Sequence, residues 1–356
     1  MKILVLPGDG IGPEITEATL KVLESVQGKS DFSLVFEHEL AGIDSYKKYG
    51  TTCRDEMLEK AVASDGVLLG PISHLHYPEF GAGGVNVSAV FRSKLDLYAN
   101  IRPAHSWENL PNKAGENFDL VIMREATEGF YPDRNMYAGS GEFMPDENTA
   151  MSIRKITAKA SERIARRSFE LAQTRRKKVT AVHKSNTFIL TDGLFLREVR
   201  KVAEDFPDVV LEERIVDAMA ALLVRHPSEF DVICATNFHA DILSDLASEL
   251  SGSLGLAGSV NAGDNLCAAQ AQHGSAPDIE GKNIANPTSL ILSASMMLEW
   301  FGKRTNQEFY VDAARRIESA VARTIANENF RTADLGGNLS TEAFAEHVVG
   351  HIQQAD

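Results

Sequence analysis

The chain has 356 residues and a formal net charge of −14, from 36 lysines and arginines against 50 aspartates and glutamates. This length predicts two domains or one large α/β domain, and 44% hydrophobic with 24% charged residues excludes a disordered chain. The acidic balance argues against a general binder of nucleic acids or anionic membranes, because phosphate contacts need a basic field.

Three cysteines, Cys53, Cys234 and Cys267, form no CxxC pair. This sparse set favours a reducing compartment over a disulfide framework or a zinc finger. No apolar run approaches the ~18 residues of a membrane span. The N-terminal apolar run stops at Pro7, too early for the core of a signal peptide. We therefore expect a soluble, cytoplasmic protein.

Short apolar runs predict strands at residues 2–6, 32–37, 66–70, 97–103, 120–124, 179–183 and 232–236. Helical patterns are predicted at residues 13–26, 148–171, 194–204, 239–250 and 290–298. Two stretches, 131–147 and 252–263, are rich in glycine or proline and are predicted to be irregular. Alternation of strands and helices predicts a largely parallel α/β sheet.

The first strand is followed by Gly8-Asp9-Gly10-Ile11-Gly12, in the context of a Rossmann turn. The third glycine comes one residue early, and Asp9 would repel a pyrophosphate. We therefore predict a tight turn rather than a classical Rossmann dinucleotide site.

Asp241 and Asp245 are four residues apart on a predicted helix, so both carboxylates share one face. Two like charges there are stabilised by a cation, and oxygen ligands suit Mg²⁺ or Mn²⁺. A solvated acidic face is the alternative. Asp217 is a possible third carboxylate, although alone it is typical of a surface acid.

Arginines are predicted near the ends of two strands, at Arg102 and Arg124, and Arg92 precedes them. Guanidinium groups match carboxylates bidentately, so this set indicates an anion pocket in an acidic chain. The alternative is local pairing, for example of Arg124 with Glu125.

Two further side chains could transfer protons. Lys184 follows a strand, and a lysine near arginines and a metal would have a lowered pKa and could act as a base; the alternative is an exposed lysine. Tyr131 lies just beyond Arg124 and could donate a proton or anchor a loop.

A ring, a carboxylate and an amide in one short region, at His273, Asp278 and Asn286, could recognise a nucleoside.

With these residues in place, the chain resembles the decarboxylating β-hydroxyacid dehydrogenases, which include isocitrate, 3-isopropylmalate, homoisocitrate, tartrate and D-malate dehydrogenases. The resemblance runs nearly end to end. The matching segments are 6–14 (LPGDGIGPE), 97–103 (LYANIRP), 213–217 (ERIVD), 241–245 (DILSD), 273–278 (HGSAPD) and 281–287 (GKNIANP).

The resemblance implies a role for each candidate residue. Arg92, Arg102 and Arg124 would clamp the malate-type carboxylates, with Asn86 and Ser88 meeting the 3-substituent. Asp241 and Asp245, with Asp217 from a second subunit, would bind Mg²⁺ or Mn²⁺. Lys184, also from that subunit, would take the 2-hydroxyl proton, and Tyr131 would protonate the carbon after CO₂ leaves. The residues that would bind the cofactor are Asn186, Thr187, His273, Gly274, Ala276, Asp278, Ile279 and Asn286.

The predicted cofactor is NAD, because a carboxylate at Asp278 accepts ribose hydroxyls but repels a 2′-phosphate. The family's NADP users carry a Lys-Tyr pair where this chain has Asp278-Ile279.

Isopropylmalate enzymes usually carry two leucines where this chain has Ser88 and Ala89. A polar pocket disfavours an isopropyl group, so we predict a polar substituent, as in isocitrate, homoisocitrate or tartrate, with 3-isopropylmalate as the alternative.

The resemblance also implies an isopropylmalate/isocitrate dehydrogenase-like α/β fold with two domains and a homodimer with a shared active site. The large, NAD-binding domain would comprise residues 1–100 and 252–356. The small domain would comprise residues 101–251, with the dimer interface and an arm at about 132–147, whose sequence differs from the usual arm. An inactive regulatory paralogue is the rival hypothesis, and the retained arginines and aspartates argue against it.

Overall fold

Strands and helices alternate along most of the chain in the computed structural model, which describes residues 1–27 and 32–354. The strands are β1 (Lys2–Leu6), β2 (Val35–His38), β3 (Gly66–Leu69), β4 (Ala99–His105), β5 (Asp119–Glu125), β6 (Glu142–Asp146), β7 (Thr149–Ser152), β8 (Lys178–His183), β9 (Val210–Ile215), β10 (Val232–Ala235), β11 (Val260–Ala262) and β12 (Cys267–Gln270). The helices are α1 (Gly12–Gln27), α2 (Ile43–Tyr49), α3 (Asp55–Val62), α4 (Val87–Lys94), α5 (Ala158–Gln173), α6 (Thr191–Ala203), α7 (Val216–Arg225), α8 (Asn237–Ser251), α9 (Thr288–Thr305), α10 (Glu308–Ala326) and α11 (Thr341–Gln354).

The chain forms two compact units. Unit 1 comprises Met1–Leu95, Trp107–Asn112 and Gly252–Asp356, and unit 2 comprises Asp96–Ser106 and Lys113–Ser251. The predicted assignment of functions to two domains stays a prediction.

In unit 1 the strands lie in the order β2-β1-β3-β12-β11. The pairs β1–β2, β1–β3 and β3–β12 are parallel, and β11 is antiparallel to β12. Residues 3–6 and 66–69 are completely buried, as a strand covered on both faces requires. The predicted continuous apolar runs therefore form the centre of this part of the sheet.

In unit 2 the order is β4-β5-β10-β8-β9, and only the β4–β5 pair is antiparallel. Successive residues of β10 face opposite sides, because side chains alternate along a strand. Val232 and Cys234 join a core with Phe169 of α5, whereas Ile233 joins a second core with Leu243 of α8. Helices thus cover both faces of this sheet, and the carboxyl ends of β5, β8 and β10 lie at one edge.

The structure corrects the predictions for residues 131–171. The helix predicted from residue 148 is wrong at its start, because α5 begins at Ala158, where the Thr157 side chain accepts a hydrogen bond from the Ala160 backbone. Residues 149–152 form β7 instead, which pairs antiparallel with β6 inside the stretch predicted to be irregular. All five residues of β6 are exposed, so no alternation of buried and exposed positions marks this hairpin in the sequence.

The glycine-rich stretch 252–263, also predicted to be irregular, ends in the short strand β11. No helix in the described ranges is long and apolar enough to cross a lipid bilayer.

Candidate active site

Two buried arginines occupy neighbouring strands of unit 2. Arg102 on β4 and Arg124 on β5 are 6% and 1% exposed. Each Nε donates to an asparagine: Arg102 to Oδ1 of Asn100 at 2.6 Å and Arg124 to Oδ1 of Asn237 at 2.7 Å. Because the asparagine side chains bind the Nε atom of each guanidinium group, the terminal Nη nitrogens can face an anion.

Asp241 on α8 supplies negative charge to both arginines. Its Oδ1 accepts from Nη1 of Arg102 at 3.2 Å and from Nη1 of Arg124. Its Oδ2 accepts from the Tyr131 hydroxyl at 2.8 Å, while Nη2 of Arg124 donates to that same hydroxyl at 2.9 Å. The structure therefore brings Arg102, Arg124, Tyr131 and Asp241 into one cluster, and the alternative pairing of Arg124 with Glu125 does not occur.

The cluster itself carries two positive charges and one negative charge, and the Asp245 carboxylate lies 3.4 Å from Nη1 of Arg102 as a second negative charge. Burial lowers the pKa of Arg102 to about 10, and repulsion from Arg124 adds to the shift. This value still leaves the guanidinium charged at neutral pH. Two buried cations favour binding of a further anion, so the arrangement suits a substrate with carboxylates.

Asp241 and Asp245 point to the same side of α8, as their spacing predicted. Both carboxylates approach Nη1 of Arg102, at 3.2 and 3.4 Å, and both are more than a third exposed. A pair of converging, accessible carboxylates fits a hard divalent cation. Among the described residues, no three or more histidine, cysteine, aspartate or glutamate side chains come close enough together to hold a metal ion.

Asp217 lies in a different place, at the first turn of α7. Its Oδ1 accepts from Nζ of Lys184 at 2.5 Å, and this hydrogen bond lowers the pKa of the Asp217 carboxyl below its usual range. The predicted base and the predicted third metal ligand are thus neighbours of each other in one chain. Their roles stay predictions.

A buried carboxylate that sequence analysis did not identify holds the turn after β8. Asp192 is completely buried and accepts from the Lys184 backbone N–H at 2.5 Å, and its other oxygen pairs with Nη1 of Arg154 at 2.6 Å. Asn186 and Thr187, predicted to meet the nicotinamide, are exposed on this turn. Asp192 therefore fixes the backbone that carries Lys184.

In unit 1, Arg92 lies near the end of α4, and its Nε donates to Oδ1 of Asn261 at 2.9 Å. Ser88, one turn earlier, is 9% exposed and accepts from Nε2 of Gln270 at 2.6 Å. Asn86 caps the helix by accepting from the Ala89 N–H at 3.1 Å. Both polar residues expected to meet the 3-substituent therefore already have a partner within the protein.

The loop before α9 contains the predicted nucleoside-binding residues. His273 donates from Nδ1 to the Gly274 carbonyl at 2.9 Å, and burial lowers its pKa. Ala276 has a φ of 39°, which a residue with a side chain rarely adopts. Asp278 is exposed and Ile279 half-buried. No hydrogen bond or ion pair engages the Asp278 carboxylate within the described ranges, so it is accessible to a ligand.

Asn286 is 8% exposed and structurally engaged, since it donates to Asp334 at 3.0 Å and accepts from the Thr288 N–H at 3.0 Å.

The turn at Gly8–Gly12 packs against the same loop. Ile11 donates its N–H to the Ser275 carbonyl at 2.9 Å, and a Cβ on Gly10 would lie 2.1 Å from that oxygen.

Asp9 has a structural role in this turn. It is 7% exposed and accepts hydrogen bonds from the Ile43 and Ser73 N–H groups and from the Tyr77 hydroxyl, at 2.5–2.8 Å. The carboxylate that would repel a pyrophosphate thus connects three segments of unit 1, as expected of a tight turn rather than a nucleotide-binding one.

Comparison with known proteins agrees with this geometry. The isocitrate/isopropylmalate dehydrogenase family profile matches residues 2–348. The chain is 43% identical to a 3-isopropylmalate dehydrogenase of Archaeoglobus fulgidus, with 98% of each chain covered. It is 42% identical to an isocitrate/homoisocitrate dehydrogenase of Thermus thermophilus, covering 98% of this chain and 97% of the relative.

A solved isocitrate dehydrogenase from Methylococcus capsulatus has a TM-score of 0.88, with 40% identity and 99% of both chains covered. The predicted resemblance and fold class are confirmed, and the relatives are dehydrogenases, as predicted. Their names support the alternative substrate, 3-isopropylmalate, better than the polar substituent that Ser88 suggested. The chain therefore belongs to the isocitrate/isopropylmalate dehydrogenase family, whose members use NAD(P) and a divalent metal.

Proposed function

We propose that this protein catalyses the NAD-dependent oxidative decarboxylation of a 3-substituted malate with Mg²⁺ or Mn²⁺. The observation that carries the proposal is the cluster of Arg102, Arg124, Tyr131 and Asp241, which combines two buried cations with a phenol and an accessible carboxylate. These are the groups that such a reaction needs: a clamp for carboxylates, an acid and a metal ligand.

The chain's own residues would hold the substrate and move its protons. Arg102, Arg124 and Arg92 bind the carboxylates, and the paired asparagines keep the guanidinium groups in place. Lys184 removes the 2-hydroxyl proton, and Tyr131 delivers a proton to carbon after CO₂ leaves. When bound, the nicotinamide accepts the hydride, and the divalent cation withdraws charge from the substrate oxygens.

The cation would be held by Asp241 and Asp245 together with Asp217 of a second subunit. Lys184 pairs with Asp217 rather than with Asp241 in this chain, which supports a homodimer whose active sites each combine Lys184 and Asp217 of one subunit with Asp241 of the other. The preference for NAD rests on the exposed Asp278 carboxylate, which would accept ribose hydroxyls and repel a 2′-phosphate. His273, Gly274, Ala276, Ile279 and Asn286 would complete the nucleotide site, with Asn186 and Thr187 meeting the nicotinamide.

We infer 3-isopropylmalate as the first candidate substrate. Two observations support it: a relative of that name at 43% identity, and the hydrogen bonds that engage Ser88 and Asn86 within the protein. A second candidate is a malate with an oxygen-bearing substituent, such as isocitrate. It is favoured by the relative named isocitrate/homoisocitrate dehydrogenase at 42% identity and by a serine one turn before Arg92.

The test is a substrate panel. Purified protein is assayed for NADH formation with Mn²⁺ and with malate, 3-isopropylmalate, isocitrate, homoisocitrate or tartrate, with and without EDTA. We expect metal-dependent turnover with 3-isopropylmalate and loss of activity with EDTA. An Asp241→Asn variant serves as the inactive control. Absence of turnover with every substrate would contradict the proposal and favour the regulatory paralogue.

A further inference from the structure

Arg154 lies between β7 and α5, and its guanidinium group is enclosed by other segments of unit 2. The side chain is 5% exposed. Nη1 pairs with Oδ1 of Asp192 at 2.6 Å and donates to Oγ1 of Thr191 at 3.0 Å, while Nη2 donates to Oγ1 of Thr236 at 3.0 Å. One planar cation thus connects the first turn of α6 with the segment that leads from β10 into α8.

Two contacts of Arg154 hold the turn that carries Lys184. Asp192 accepts a hydrogen bond from the Lys184 backbone N–H at 2.5 Å. Phe188 donates its N–H to the Lys184 carbonyl at 2.8 Å, and the centroid of its ring lies 5.1 Å from the guanidinium carbon of Arg154. Arg154 therefore contacts this turn both through the charge of Asp192 and through an aromatic ring.

The same arginine contacts the segment that leads to Tyr131. The centroid of the Phe130 ring lies 5.5 Å from the guanidinium carbon of Arg154. The backbones of Gly129 and Lys155 exchange two hydrogen bonds of 3.0 Å, so the chain on either side of this contact is paired as well. The guanidinium group thus lies between the turn of the proposed base and the loop of the proposed acid.

We propose that Arg154 is a positioning residue that fixes the turn of Lys184 and the loop of Tyr131 relative to each other. The inference rests on the proposed function and deepens it. In the proposed dimer these two segments of one subunit belong to different active sites, since Tyr131 accompanies Asp241 and Lys184 reaches the other subunit. Arg154 thereby links the two active sites through the interior of a single subunit.

The first experiment compares the kinetics of Arg154→Lys with those of wild type. Lysine keeps the charge that pairs with Asp192 but loses the planar group that binds two threonine hydroxyls beside two rings. We expect kcat with Mn²⁺ and the preferred substrate to fall by about tenfold or more, because displaced proton-transfer groups slow the reaction. KM should change by less than about threefold, since Arg102 and Arg124 still bind the carboxylates.

Arg175→Lys is the matched control. Nε of Arg175 donates at 2.8 Å to the buried carboxylate of Asp231, and this arginine precedes β8, whereas Lys184 follows that strand. The control should leave kcat unchanged. If Arg154→Lys fails to fold, Arg154→Gln combined with Asp192→Asn repeats the test, because no buried charge is then left unpaired.

The second experiment places the substitution in one subunit at a time. A dimer of Lys184→Ala and Asp241→Ala subunits has one complete proposed site, which takes Lys184 from the second subunit and Tyr131 from the first. With the subunits tagged differently and the mixed dimer purified, Arg154→Lys in either subunit should lower its activity by about threefold or more. An effect from one subunit only, or an inactive mixed dimer without Arg154→Lys, would overturn the link between the sites.

A fall in kcat of less than about threefold in Arg154→Lys, a loss confined to KM, or an equal loss in Arg175→Lys would overturn the positioning role alone. Absence of wild-type turnover with every substrate would overturn the proposed function, and this inference with it. The two failures are therefore distinguishable.

Discussion

Nζ of Lys184 lies 2.5 Å from Oδ1 of Asp217, and this ion pair joins two elements of unit 2, the end of β8 and the start of α7. Asp241 instead contacts Arg102, Arg124 and Tyr131. In the proposed shared site, Lys184 and Asp217 of one subunit act together with Asp241 of the other.

This relationship predicts the outcome of subunit mixing. After Lys184→Ala and Asp241→Ala proteins are mixed, unfolded and refolded together, about a quarter of the sites in a random population of two-fold symmetric dimers should be intact. NADH formation should recover to about that fraction, because each mixed dimer has one site with both residues.

The matched control is the mixture of Lys184→Ala with Asp217→Ala. Since both residues would come from the same subunit, no mixed dimer regains a complete site, and activity should stay near zero. Equal recovery in the two mixtures, or none in either, would contradict a shared site.

Tyr131 gives a second prediction. Its hydroxyl donates to Asp241 and accepts from Arg124, and its ring lies beneath the Arg134 guanidinium, 5.1 Å from the centroid. Tyr131→Phe keeps the ring and removes the proton donor. We expect kcat to fall by about 10²- to 10⁴-fold, as for loss of a general acid, with a small change in KM.

Steady-state kinetics with the preferred substrate would check this effect. The control is Tyr137→Phe, because Tyr137 is fully exposed in the same unit, and it should leave kcat unchanged. A fall in kcat of less than about threefold in Tyr131→Phe would rule out the proton-donor role.

A third prediction concerns the nucleotide. Asp278→Lys with Ile279→Tyr replaces an accessible carboxylate by a cation, which should attract the 2′-phosphate of NADP rather than repel it. We expect the ratio of kcat/KM for NADP to that for NAD to rise by at least about tenfold, or about 1.4 kcal/mol.

Glu280→Lys is the control, since it changes the net charge equally at an exposed position two residues away. It should shift the ratio much less. If both variants shifted it by the same factor, the preference would come from the general field of the loop rather than from Asp278.

The fold was predictable where local pattern carries information. Continuous apolar runs identified β1, β3 and β10 because both faces of these strands are buried. The hairpin of β6 and β7 was missed because its exposed residues leave no alternation for a pattern to detect. Propensity alone could not distinguish residues 149–152 from the start of α5.

The candidate site was also predictable only where a local sequence pattern carries information. The i, i+4 spacing of Asp241 and Asp245 placed both on one helix face. Two of the partners that orient the arginines were not found, because Asn237 lies 113 residues from Arg124 and Asn261 lies 169 residues from Arg92. Buried amides have no sequence signature of their own, and the packing of distant strands and helices brings these two to the guanidinium groups.

A fourth prediction follows from a buried carboxyl near the cluster. Glu128 is 4% exposed and accepts hydrogen bonds from the Thr157 N–H and hydroxyl at 2.7 and 2.8 Å. Burial raises its pKa from 4.5 to about 7, and the charge of Glu125 adds to the shift. The folded state therefore binds this proton more tightly than the unfolded state does.

The sign of the pH dependence follows from that difference. The stabilisation from this group is fully present below pH ~4.5 and is lost as the pH rises to about 7, a change of about 3 kcal/mol over the interval. Glu128→Gln is neutral at every pH, so it should remove this loss. We expect the variant to gain stability relative to wild type as the pH rises from 5 to 8.

Urea unfolding at pH 5, 6, 7 and 8 would measure the free energy of unfolding of both proteins, and the difference between the two values isolates Glu128 from the other titratable groups. Glu204→Gln is the control, because Glu204 is exposed at the end of α6, and its difference from wild type should not vary with pH. If the free energies of unfolding of Glu128→Gln and wild type differ by the same amount from pH 5 to 8, Glu128 ionises normally in the folded protein and the prediction is wrong.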